Sequence, residues 1–150
     1  MNPEFSGSDS WVLLATGLAA RNRGARLAEV IAAGDAVNHA NITLAELRRG
    51  FAKLIAAGYL RVEGGRFYLI ESAREAVDQA TKRGFARGFE PIGRFLGVQS
   101  RSWDPPTFED PRWRFPDLSE EAYSAAVGEY TAEPQRVLDG MLRGTDGSSR

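Results

Sequence analysis

The chain has 150 residues, 43% hydrophobic and 26% charged, with 19 basic side chains against 20 acidic ones, one histidine and no cysteine. That length can bury a real core. The missing cysteines exclude a disulfide framework, a thiolate nucleophile and a cysteine zinc site, and a lone histidine excludes any metal centre that needs two imidazoles. The longest apolar stretches, such as residues 11–20, fall short of the roughly 20 residues that span a bilayer, and no signal-peptide pattern precedes them. A cytoplasmic protein without membrane contact is therefore expected.

The formal net charge of −1 hides an asymmetry: residues 11–70 sum to +4 and residues 101–150 to −4. A near-neutral chain thus carries a basic head and an acidic tail, so a basic binding face is compatible with its pI.

Residues 1–10 are polar and without periodicity, which predicts a disordered leader, with Ser10 placed to cap the first helix. Trp11, Leu14, Ala15 and Leu18 recur at helical spacing and predict that this helix ends near Ala20. Leu27, Val30, Ile31 and Gly34 predict a second, running to about Val37. The third has the clearest signals. Thr43 and Glu46 form a capping-box pair, Leu44, Leu47, Phe51, Leu54 and Ile55 share one stripe, and Gly58 sits where a helix C-terminus favours glycine.

A hairpin comes directly after it. Gly64 and Gly65 between two alternating segments predict a two-residue turn of the type that needs positive φ at both centres. That register sets Glu63 against Arg66, Val62 against Phe67, Arg61 against Tyr68 and Leu60 against Leu69, with apolar pairs on one face and charged and aromatic partners on the other.

Beyond it, Ser72 is placed to cap a helix lined by Ala73, Ala76, Val77, Ala80 and Phe85, ending by Glu90 because Pro91 disfavours helix before it. Residues 91–97 suit a short further helix with proline in its first turn. Residues 99–118 hold four prolines between Trp103, Phe108, Trp113 and Phe115, which predicts an extended arm whose aromatics dock on the domain. An amphipathic helix with Tyr123, Val127 and Tyr130 starts at Ser119, and a last short one comes after Pro134. Residues 144–150 are expected to be a disordered tail.

The organisation is then a leader (1–10), a domain (11–70), a helical connector (71–98), the arm (99–118), C-terminal helices (119–143) and a tail (144–150). Three helices and then at once a hairpin, above all residues 43–69, resemble the recognition helix and wing of the bacterial winged-helix DNA-binding superfamily. The resemblance covers about 60 of the 150 residues and matches a superfamily rather than a subfamily. It implies a mainly α fold with a small β-hairpin, a winged helix-turn-helix core with a C-terminal helical extension, and duplex DNA as partner.

With Leu44 at 0° and about 100° per residue, the apolar stripe of the third helix centres at about 330°. Arg49 and Lys53 then point away from the core, beside Ala45, and Arg48 flanks the stripe. Arg49 and Lys53 are expected to reach phosphates or guanine edges, with the small Ala45 allowing close approach. Arg61, Arg66 and Tyr68 share the outer hairpin face and are expected at the DNA backbone. The bland alternative for each is a solvated surface charge, an Arg66–Glu63 pair or an Arg61–Tyr68 stack. Arg21, Arg23 and Arg26 form a second basic cluster, read as a solvated turn.

No enzyme is expected and no cofactor or metal is implied. His39 lacks catalytic company and is expected to cap or pack. The carboxylate neighbours Glu109–Asp110 and Glu120–Glu121 are explained by a loop and a helix first turn, and no P-loop, dinucleotide fingerprint or nucleophile elbow occurs. The leading expectation is a DNA-binding transcription regulator, with residues 72–97 or the C-terminal helices supplying a homodimer contact. The alternative is a winged-helix protein-interaction module that engages a protein partner through its C-terminal half and does not bind DNA; fold class does not decide between them.

Overall fold

The computed structural model describes residues 3–21, 23–84, 87–98 and 111–147. Within them lie α1 (Gly7–Ala20), α2 (Leu27–Asn38), α3 (Leu44–Ala56), β1 (Leu60–Glu63), β2 (Arg66–Leu69), α4 (Glu71–Ala80), α5 (Phe89–Leu96), α6 (Glu120–Ala132) and α7 (Pro134–Gly147). The protein is mainly helical with one small antiparallel hairpin.

The centre of the molecule is α1, buried on nearly every side from Ser8 to Ala20 and packed by α2, α3, α4, α5 and β2. An apolar helix of this kind cannot stand alone in water and serves as the post around which others assemble. It starts four residues earlier than the sequence predicts: Ser6, not Ser10, precedes it, with the Asp9 carboxylate accepting from the Ser6 backbone N–H at 2.8 Å. Residues 7–10 of the expected leader are therefore helical, and Ser8, Asp9 and Ser10 are buried. The signal was present as Ser-Gly-Ser-Asp, a capping-box spacing just before the apolar run.

The hairpin has the expected register, with Leu60 paired to Leu69, Arg61 to Tyr68, Val62 to Phe67 and Glu63 to Arg66. Gly64 and Gly65 adopt φ of 58° and 75°, values that side-chain-bearing residues rarely reach. Ala25, between α1 and α2, adds an antiparallel bridge to Phe67 through two backbone hydrogen bonds of 2.8 and 2.9 Å. The C-terminus of α3 leads into the hairpin by a Schellman-type turn, Tyr59 N–H bonding Leu54 O and Gly58 N–H bonding Ile55 O.

Phe51 of α3 stacks on Phe67 of β2 at 4.4 Å, and Phe115 meets Phe51 edge-on at 5.5 Å. Phe115 and Leu118 are both buried, so the segment before α6 lies against the α3–β2 junction. Trp113 is half-buried; Trp103, Phe108, Glu109 and Asp110 lie outside the described residues.

Three further helices differ from expectation. The helix after the hairpin stops at Ala80 instead of running to Glu90, and the next begins at Phe89, before Pro91. Proline fits there because the first-turn N–H groups have no intrahelical acceptor. Phe85 lies outside the described residues. At the other end, α7 continues through Gly147, so residues 144–147 of the expected tail have helical backbone. The pair α6–α7 packs on the side of α2 turned away from α1, with Ala28, Ile31 and Ala32 against Ala126 and Val137.

Helix glycines separate tight packing from open surface. A Cβ on Gly17 would lie 2.7 Å from both Val77 methyls, whereas one on Gly128 meets nothing within 4 Å. Gly17→Ala is expected to lower stability by about 1–3 kcal/mol through overpacking, and Gly128→Ala to raise it by up to about 1 kcal/mol through helix propensity. Urea denaturation of both variants checks the pair of signs.

Candidate nucleic-acid interface

The side chains of α3 decide what this surface can bind. Its buried residues are Glu46, Leu47, Gly50, Phe51, Lys53 and Leu54. On the same wheel they centre at about 260°, so the helix is turned by about 70° from the orientation its apolar stripe predicts. The cause is the first turn of α1, which brings polar groups to the polar flank of α3. Gly50 allows the approach: a Cβ there would sit 3.0 Å from the Val12 side chain.

This rotation corrects the placement of both central candidates. Lys53 does not face solvent; its side chain is 9% exposed, and Nζ donates to the Glu4 carbonyl at 2.7 Å and to Asp9 Oδ2 at 3.1 Å. Arg49 Nη2 donates to Ser6 Oγ at 3.3 Å, and its Nε lies 4.0 Å from Asp9 Oδ1. Asp9 has no exposed surface. Glu46, next to them, accepts from Thr43 N and Oγ1 with Oε1 and from Ser8 Oγ at 2.6 Å with Oε2. It therefore caps its helix and ties α3 to α1.

The solvent side of α3 carries Ala45, Arg48, Ala52, Ile55 and Ala56, of which Ala45, Arg48 and Ala52 are half-buried. Ile55 is 40% exposed. Arg48 Nε donates to the Leu118 carbonyl at 2.9 Å, so the segment before α6 borders this strip. On the hairpin, Arg61 sits 4.7 Å over the Tyr68 ring and 3.8 Å from Glu63. The Tyr68 ring lies against Gly24, where a Cβ would come within 2.6 Å of it and φ is +76°. Arg66 Nη1 donates to the Gly24 carbonyl at 3.3 Å. The outer hairpin face is thus folded onto the turn between α1 and α2.

That turn is not merely solvated. Arg23 pairs with buried Glu29 at 2.6 Å and donates to the Gly140 carbonyl, while Arg26 makes two contacts of 2.6 Å to Glu129 of α6. His39 closes α2 in the left-handed conformation, φ 55°. Tyr123 Oη donates to the Ile42 carbonyl and Tyr130 Oη to Asp35, both at 2.7 Å. Burial, then the hydrogen bond to Asp35 and its negative charge, push the Tyr130 phenol up from 10.0 to about 12.

No helix among the described residues is long and apolar enough to cross a membrane. No protein-family model, curated protein or solved structure matches the chain.

Two of these contacts are open to direct measurement. Removing the Lys53 charge by Lys53→Met leaves Asp9 buried with fewer partners and is expected to cost about 3 kcal/mol, while Asp9→Leu with Lys53→Met costs less than the two single changes summed. Urea denaturation read as a double-mutant cycle measures this. Tyr130 has a folded pKa above its unfolded value, so its contribution to stability is full below pH 10 and is lost as pH rises from 10 toward 12. An ultraviolet titration should show a late phenolate that disappears in Tyr130→Phe.

Proposed function

We propose that the chain is a winged-helix DNA-binding protein with a transcription-regulatory role, holding duplex DNA chiefly by its phosphates. The observation that carries this reading is the helix–hairpin unit: a capped α3 joined at once to an arginine-bearing hairpin, with Ala25 making a single antiparallel bridge to β2. In winged-helix proteins such a helix lies in the major groove and the hairpin beside it meets the backbone.

The contact set differs from the one that the apolar stripe implies. Ala45 and Arg48 are on the solvent strip of α3, and Arg61, Arg66 and Tyr68 are on the hairpin, whereas Arg49 and Lys53 are engaged by α1. A strip of Ala45, Ala52 and Ala56 offers no side-chain hydrogen-bond donor to base edges, which leaves thymine methyl contact and DNA shape as sources of selectivity. Binding on this account is weakly sequence-selective and strongly salt-dependent. The homodimer belongs to the same proposal. Its contact would come from residues 72–97 or from the C-terminal helices.

The second reading, a protein-interaction module, draws on Ile55, 40% exposed in the middle of that alanine strip. Fluorescence anisotropy on a duplex separates the two. Three phosphate contacts from Arg48, Arg61 and Arg66 predict about a 40-fold weakening between 50 and 200 mM salt, and a flatter salt dependence when all three are changed to alanine. Absence of binding at 50 mM salt contradicts the DNA reading and favours the protein one.

A further inference from the structure

We infer that Arg49 and Lys53 form a phosphate seat that the chain itself occupies, and that the first turn of α1 with the residues before it is an autoinhibitory contact. The inference rests on the DNA-binding reading above and concerns the regulation of the same surface.

Arg49 and Lys53 lie one helical turn apart on α3 and converge on a single anionic group, the Asp9 carboxylate, with Ser6 Oγ beside them. Two cations and a hydroxyl around one anion is a geometry that suits a phosphate as well as a carboxylate. The carboxylate fills it incompletely. Asp9 Oδ1 and Arg49 Nε are both buried, lie 4.0 Å apart, and make no hydrogen bond. Buried polar groups are nearly always paired, so this contact is under-satisfied on both sides. A phosphate offers more acceptor oxygens than a carboxylate and gives Arg49 the bond that Asp9 withholds.

Besides these, the covering turn is held to α3 by Ser8 Oγ, which donates to Glu46 at 2.6 Å, and Ser8, Asp9 and Ser10 are buried. Residues 3–6 precede the helix, Glu4 is held through its carbonyl by Lys53 itself, and Phe5 contacts Tyr59 at a ring separation of 6.4 Å. When that segment and the Asp9 turn lift from α3, Arg49 and Lys53 extend the cationic surface around the helix from the Ala45–Ala52–Ala56 strip. Closed and open forms then differ by two cations at the DNA, a difference that duplex DNA itself exploits by favouring the open form.

Two variants test this by anisotropy on a duplex at several salt concentrations. Asp9→Asn, checked for folding by circular dichroism, is expected to bind more tightly than wild type at low salt, with log Kd steeper in log salt by as much as about 1.8, the limit for two phosphate contacts that wild type makes only in its open fraction. Phe5→Cys with Tyr59→Cys keeps every charge in a chain with no other cysteine. When its two thiols are bridged by a short reagent, it is expected to bind more weakly and with a shallower salt slope than the unbridged form. If Asp9→Asn does not fold, the bridged pair decides alone. Binding that is equal in bridged and unbridged forms, with a wild-type slope in Asp9→Asn, overturns the inference and leaves the DNA reading standing. No binding by any form at low salt overturns both.

Discussion

In the closed form the seating of α3 on α1 centres on one buried carboxylate. Asp9, without exposed surface, stands between Arg49 and Lys53, and a charge removed from water must be matched closely or it costs several kcal/mol. That requirement turns α3 so that its polar flank, not only its apolar stripe, faces α1. Once the turn is set, Gly50 seats on Val12, Phe51 reaches Phe67, and the hairpin is aimed by the same stack. The faces that remain for binding are the ones this rotation leaves over.

The two halves of the charge asymmetry are used differently from a simple cover of basic head by acidic tail. Acid from the C-terminal helices lands on the α1–α2 turn and α2, where Glu129 holds Arg26. Acid from the start of the chain lands on α3, where Asp9 holds Lys53. Among the described residues, it is the segment before α6 that borders the solvent strip of α3, where the Leu118 carbonyl accepts from Arg48. Both ends of the chain thus contribute acid to internal pairs, and Arg61 on the hairpin, whose side chain is 57% exposed, is a cation that electrostatic attraction to phosphate can use.

Local signals are legible in the sequence wherever they are short-range. The capped α3 and the hairpin register can be read because capping, periodicity and a Gly-Gly turn act within a few residues. The start of α1 is equally local, in Ser6 and Asp9, but the polar Ser8 and Ser10 around it look like a leader unless their buried partners are known. The rotation of α3 is not legible, because a wheel that weighs apolar residues alone cannot place Lys53 or Glu46 inside. Gly50 on the buried arc is the available hint, since a glycine within a helix often marks a close approach. The bonds that Arg23, Arg26 and Arg48 make within the chain join residues 6 to 117 positions apart, and spacing carries no trace of most of them. The break after Ala80 coincides with Thr81, Lys82, Arg83 and Gly84, which interrupt the apolar spacing, and Gly84 takes a positive φ of 112°.

The outward face of α3 is the alanine and Arg48 strip, with Lys53 turned inward onto Asp9. The chain has only two lysines, Lys53 and the exposed Lys82, so amine acetylation with mass spectrometry as the readout tests it directly. In the native protein Lys82 is expected to be modified much faster than Lys53, and the two rates to converge in denaturant. Equal rates in the native protein would contradict it.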